Sequence, residues 1–65
     1  MNVTINGEKK VVTALTISEL LEELQLNPGL IVIEIDGEII DRSNWNEELI
    51  KEDINIEIVH FVGGG

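Results

Sequence analysis

The chain has 65 residues, no cysteine, and thirteen Asp and Glu residues against four Lys and Arg, which gives a formal net charge of −9. This length is enough for one small domain, and the lack of cysteine excludes disulfides, a thiolate nucleophile and cysteine-bound metals. The acidic balance disfavours phosphate backbones and anionic lipid surfaces, so we expect no nucleic-acid partner and no membrane partner.

The first predicted element is a β-hairpin. Val3 and Ile5 alternate with polar residues, which is the period of a half-buried strand. The dipeptide Asn6-Gly7 follows, and both of its residues accept the positive φ that a tight hairpin turn requires. We therefore predict the return strand over residues 10–13.

A single helix is predicted next. Thr16 and Glu19 have the spacing of a capping box, in which the side chain of each residue accepts a hydrogen bond from the backbone amide of the other. Apolar residues follow at the i, i+3, i+4 and i+7 spacing of one helix face, namely Ile17, Leu20, Leu21 and Leu24. The pattern predicts a helix over residues 17–25, ended by the Asn-Pro-Gly sequence at residues 27–29.

The second half of the chain reads as further strands. Residues 30–35 are rich in β-branched side chains, and Asp36-Gly37 is a second hairpin signal before a short partner strand at 38–40. The polar residues 41–48, which include the only tryptophan, predict a turn or a short helical turn.

Residues 49–50 are a candidate edge strand, and residues 54–62 alternate clearly enough to predict the last strand. One helix covers only one face of a sheet, so this order predicts an α+β roll. We expect the final strand to return beside the first in parallel, with the helix stripe packed on four isoleucines of the sheet, Ile5, Ile33, Ile56 and Ile58.

Motifs for catalysis or metal binding are weak. His60 is the only histidine, and no nucleophile is placed to pair with it, so we interpret it as an ordinary strand residue. Histidine and carboxylates show no metal-ligand spacing. The adjacent carboxylates at 22–23 and 47–48 are interpreted as solvated surface charge.

The sequence ends in three glycines, Gly63, Gly64 and Gly65, directly after an apolar strand. A free carboxylate on the last glycine is ionised at neutral pH and can attack the α-phosphate of ATP to form an acyl adenylate. Glycine has no β-carbon, so such a tail can be threaded through a narrow channel to a buried reactive centre. The competing interpretation is a frayed end or a cloning remnant.

Four segments resemble the ubiquitin-like β-grasp sulfur carriers, and among them the ThiS family of thiamine biosynthesis. They are residues 3–7 (Val-Thr-Ile-Asn-Gly), 16–21 (Thr-Ile-Ser-Glu-Leu-Leu), 38–42 (Glu-Ile-Ile-Asp-Arg) ahead of Trp45, and 57–65 (Glu-Ile-Val-His-Phe-Val-Gly-Gly-Gly). The likeness covers essentially the whole chain, and the ending is its specific part. It implies a β-grasp roll with a mixed sheet of four to five strands and one main helix across one face.

The resemblance also implies a function. A ubiquitin-activating-like adenylyltransferase would adenylate Gly65 with ATP and magnesium, and the chain itself would bind no cofactor and no metal. A cysteine desulfurase system would supply a persulfide sulfur that replaces AMP, and thiazole synthase would take sulfur from the resulting thiocarboxylate. Gly64 and Gly63 would thread the tail, although Gly63 is additional to the family's Gly-Gly ending. The chain would then be a carrier rather than an enzyme.

Other functions remain open at this point. The small subunit of molybdopterin synthase also ends in Gly-Gly, but the short chain and the His-Phe-Val approach to the tail favour the thiamine carrier. A ubiquitin-like protein modifier and a structural domain with a flexible end are further alternatives.

Partner docking is predicted on the sheet face that the helix leaves uncovered. Val59 and Phe61 share the parity of that face, Val62 adjoins them, and Val32 is a candidate neighbour. Clusters of exposed apolar groups mark interfaces. The competing interpretation makes Phe61 a core residue.

We expect residues 1–62 to form the domain and residues 63–65 a flexible tail. The beginning of the chain lacks a basic segment followed by an apolar run, and no apolar stretch approaches the roughly 20 residues that span a bilayer. Together with the absence of cysteine, this leads us to expect a cytoplasmic protein.

Overall fold

The computed structural model describes residues 1–61 and places five strands and one α-helix there. The strands are β1 (Asn2–Ile5), β2 (Glu8–Val11), β3 (Ile31–Ile35), β4 (Glu38–Ile40) and β5 (Asn55–His60), and the helix is α1 (Ile17–Glu23). The sheet order is β2-β1-β5-β3-β4; β1 and β5 run parallel, and the other neighbours run antiparallel. The predicted α+β arrangement, with the last strand beside the first, is confirmed.

Both hairpin turns are confirmed. Asn6 and Gly7 have φ values of 50° and 82°, and Asp36 and Gly37 have φ values of 49° and 86°, as a type I′ turn requires at both central positions. The return strand of the first hairpin was predicted two residues too late, because the two-residue turn makes β2 begin directly after Gly7.

Helix α1 is shorter than predicted. The Thr16 hydroxyl accepts a hydrogen bond from the Glu19 amide (3.2 Å), but the Glu19 carboxylate accepts from the amide of Leu15 (2.8 Å) rather than closing the box on Thr16. The helix ends at Glu23 because Gln25 takes a φ of 57°. The amides of Gln25 and Leu26 then donate to the carbonyls of Glu22 and Leu21, which is a Schellman closure without glycine.

The core lies between α1 and one face of the sheet. Ile17, Leu20 and Leu21 of the helix are buried, and Leu24 is half-buried at the margin. The four isoleucines expected beneath them are all buried, at Ile5, Ile33, Ile56 and Ile58.

Within residues 1–61, no helix has the length and hydropathy of a bilayer-crossing segment.

The polar segment after β4 closes one side of this core. It forms a 3-10 helix, Arg42–Asn44, followed by Trp45, which is buried. The indole Nε1 donates to the carbonyl of Ile40 (3.2 Å), and the Arg42 guanidinium lies 4.5 Å from the indole ring centre. Residues 49–50 are not an edge strand, since only an isolated bridge joins Leu49 to Thr16.

Candidate functional site

Strand β5 leads towards the glycine ending and is held on both sides. On one side its backbone pairs with β3, and the Phe61 amide still donates to the Leu30 carbonyl (2.8 Å) beyond the end of the strand. On the other side β1 ends early, and the Asn6 side chain takes its place. Its Oδ1 accepts from the Ile58 amide (2.7 Å), and its Nδ2 donates to the Ile58 carbonyl (3.2 Å). The chain is therefore fixed as far as Phe61.

The sheet face opposite α1 carries an apolar patch beside this end of β5. Val59 and Phe61 are 41% and 56% exposed, so the interpretation of Phe61 as a core residue is wrong. Val32 lies directly opposite Val59 on β3 and is half-buried. Leu30 and Ile39, which are 54% and 68% exposed, also lie on this face; they were not predicted there because only the strand register brings them to it. We refer to these five residues as the open-face patch.

Two glutamates lie on the same face. Glu34 of β3 is paired directly with Glu57 of β5, and both side chains are half-buried. The next residue in this cross-strand row is Ile39 of β4, and the neighbouring row holds Val32 and Val59. The glutamate pair thus borders the open-face patch.

The residues nearest the expected reaction lie outside the described part of the chain. Val62, assigned to docking, and Gly63, Gly64 and Gly65, assigned to the tail, all follow residue 61. The expected boundary between residues 62 and 63 lies there as well. His60 is the last residue of β5, so its interpretation as a strand residue is confirmed, and its side chain is exposed.

Residues 1–61 contain no group of three or more histidine or acidic side chains that could hold a metal ion. An open groove of about 530 Å³ is lined by Thr13, Ala14, Leu15 and three glutamates. The carboxylates of Glu19 and Glu23 are already bound there to backbone amides, so they brace the helix.

Glu23 is the most strongly bound of these carboxylates. The Thr13 hydroxyl donates to its Oε1 (2.9 Å), and the amides of Thr13 and Ala14 donate to the same oxygen at 3.0 and 2.8 Å. These bonds, led by the Thr13 hydroxyl, hold the pKa of Glu23 below its usual range. The residue was interpreted as free surface charge, whereas it ties α1 to the segment before it.

Comparisons with known proteins agree with this geometry. The model of the ThiS family matches residues 3–65. The sulfur carrier protein ThiS of Bacillus subtilis is 47% identical over 51 residues, which cover 77% of this chain and 76% of that protein. The crystal structure of a thiamine biosynthesis protein (ThiS) from Geobacter metallireducens superposes with a TM-score of 0.85 at 30% identity, over the whole of both chains.

A thiazole synthase also contains a similar sequence. The enzyme of Paramagnetospirillum magneticum is 33% identical over the whole of this chain, which spans about a fifth (20%) of that protein's length.

Proposed function

The chain belongs to the ThiS family, and on this premise we propose that it is a sulfur carrier for the thiazole moiety of thiamine, with Gly65 as the residue that holds the sulfur. One observation carries the proposal: the family match extends over residues 3–65 and so includes all three glycines of the ending. The 47% identity with a sulfur carrier protein ThiS supports it. A carrier of this kind is a cosubstrate of partner enzymes rather than an enzyme.

The proposed chemistry takes place on the Gly65 carboxylate. A carboxylate oxygen attacks the α-phosphorus of ATP on a ubiquitin-activating-like adenylyltransferase that uses magnesium, and pyrophosphate leaves. A persulfide sulfur supplied by a cysteine desulfurase system then attacks the carbonyl carbon, and AMP leaves. A thiol then attacks the donor's own sulfur in the resulting acyl disulfide, which forms a new disulfide with the donor and releases the C-terminal thiocarboxylate. The folded domain contributes recognition, and Gly64 and Gly63 give the tail the freedom to enter a narrow channel.

The open-face patch is the docking surface that we propose for the adenylyltransferase. It combines five exposed or half-buried apolar side chains on the sheet face opposite α1, and it includes Phe61, the last residue that the structure describes. Contiguous apolar surface of this kind marks an interaction site.

Thiazole synthase is the proposed acceptor of the sulfur. A thiazole synthase whose polypeptide also contains a sequence similar to this chain supports the link. This observation also favours the thiamine carrier over the molybdopterin alternative.

The test combines adenylation with mass measurement. Purified carrier, the adenylyltransferase and ATP should give ATP–pyrophosphate exchange, and the carrier isolated from cells should include a species about 16 Da heavier, since sulfur replaces oxygen. A matched carrier with one residue added after Gly65 should fold equally well and give neither signal, because its free carboxylate is then on the added residue instead of on Gly65. Full activity of that extended carrier would refute the proposal.

A deletion strain identifies the pathway. We expect thiamine alone to restore its growth. Loss of molybdoenzyme activity in the deletion strain would instead indicate the molybdopterin carrier. Adducts of the chain with lysines of other proteins would indicate a ubiquitin-like modifier.

A further inference from the structure

The glutamate pair on the open face is unfavourable for the isolated domain. Glu34 and Glu57 occupy directly opposed positions of antiparallel strands, where β-carbons lie about 5 Å apart and like charges are destabilising. Both side chains are half-buried, so water screens them less than it screens a fully exposed pair. The fold itself gains nothing from this arrangement.

No cation of the described chain neutralises the pair. All four lysines and arginines lie within residues 1–61, and the ion pair found there joins Lys10 to Glu8 on β2. Arg42 stacks on Trp45 and donates to the Ile31 carbonyl (3.2 Å) instead. Among the described residues, therefore, the two carboxylates have no positively charged partner.

The surroundings of the pair indicate what would neutralise it. Ile39, Val32 and Val59 border it, and a protein that covers these apolar groups also removes water from the two carboxylates. Desolvated carboxylates must be paired, and a planar guanidinium can bind two of them at once through its five N–H donors. A lysine or a neutral side chain would leave one carboxylate less well paired.

We propose that Glu34 and Glu57 together bind an arginine side chain of the adenylating partner, beside the apolar residues of the open-face patch. This inference rests on the proposed function, because it assumes that the open-face patch binds that enzyme. The apolar residues supply contact area, and the pair selects a partner with one matching cation.

A second copy of this chain does not fit the same surface. A symmetric dimer through the open face would place the same patch on both sides and bring two glutamate pairs together. The net charge of −9 adds further repulsion. The pair therefore favours a basic partner and opposes self-association.

Glutamine substitutions test the pair without changing its shape. The face variant is Glu34→Gln with Glu57→Gln, and its matched control is Glu22→Gln with Glu47→Gln, at exposed positions on α1 and in the loop after the 3-10 helix. Both double variants lose two negative charges, so both move the formal net charge from −9 to −7. The readouts are KM for the carrier and kcat in ATP–pyrophosphate exchange, together with the thermal midpoint.

We expect the face variant to raise KM roughly tenfold with kcat unchanged, while its thermal midpoint stays equal or rises because the repulsion is gone. The control should stay within about twofold of wild type, as removal of exposed charges does. Glu34→Lys should make the sheet still more stable, since it creates an opposite-charge pair, yet raise KM more than glutamine does. A purely structural role would move stability and KM in the same adverse direction.

Three results would overturn the inference. One is that the face variant and the control double variant have the same KM, in an assay where the wild-type carrier is active. Another is a thermal midpoint that falls in parallel with the loss of affinity. The third is a wild-type dimer in sedimentation that the face variant weakens, because the pair would then support self-association. An inactive wild-type carrier is a different result, since it refutes the proposed function itself before any variant is compared.

Discussion

Leu21 lies in the apolar stripe of α1 and is 3% exposed, so replacing it by alanine tests how the helix is held on the sheet. The change removes three buried carbon atoms, which costs about 2.4 kcal/mol at about 0.8 kcal/mol for each. The cavity left beneath the helix adds to this, which places the loss within the range of about 2–5 kcal/mol seen for buried Leu→Ala changes. A 65-residue domain has only about 3–10 kcal/mol of stability in total.

The assay is thermal and urea unfolding followed by circular dichroism. A loss of about 3 kcal/mol should lower the thermal midpoint by at least about 12 °C in so small a domain. Leu15→Ala is the matched control, because Leu15 is 61% exposed immediately before the helix and should shift the midpoint little. Equal effects of the two variants would show that Leu21 does not carry the packing of α1.

Three further predictions concern the tail, the docking surface and acid stability. Deleting Gly65 leaves a Gly-Gly ending that is about 3.3–3.6 Å too short, so it should abolish pyrophosphate exchange, and normal exchange would contradict this. Gly64→Ala should impair turnover more than Gly63→Ala does. None of these changes should alter the thermal midpoint. Phe61→Ser should raise KM for the adenylating enzyme while the circular dichroism spectrum stays native; an unchanged KM would remove Phe61 from the docking surface. Glu23→Gln should be less stable than wild type at neutral pH. The pKa of Glu23 is lowered in the folded state, so its contribution to stability is present above its unfolded pKa and is lost as pH falls through the folded pKa. The stabilities of the two proteins should therefore become equal in acid. A stability difference that persists there would show that the Glu23 carboxylate is not the cause.

Local sequence signals predicted the elements whose shape depends on neighbouring residues. The two type I′ turns and the amino-terminal cap of α1 each follow from two to four consecutive residues. The end of α1 was predicted in the wrong place because Gln25 adopts a left-handed conformation, which glutamine does not favour. The limits of β2 were misplaced because all four of its side chains are exposed, so the strand has no alternation of burial to detect.

Features that depend on strand register were harder to predict. Phe61 and Val59 were assigned to the open face by parity alone, and both are exposed there. The opposition of Glu34 and Glu57, and the approach of Leu30 to Phe61, arise from the pairing of β3 with β5 across more than twenty residues of sequence. Periodicity within one strand contains no information about which residue of another strand lies opposite.

The position of β5 has a consequence for the synthesis of the protein. This strand is the middle one of the sheet and joins the β1–β2 hairpin to the β3–β4 hairpin, since Thr4 pairs with Asn55 on one side and Ile33 with Ile58 on the other. Both hairpins are synthesised before β5, and within residues 1–61 no strand pairing connects them without it. A nascent chain arrested before Asn55 would therefore keep unpaired strand edges that chaperones and proteases recognise. The open-face patch therefore forms only when β5 is present, because it needs Val59 and Phe61 beside Val32 and Leu30.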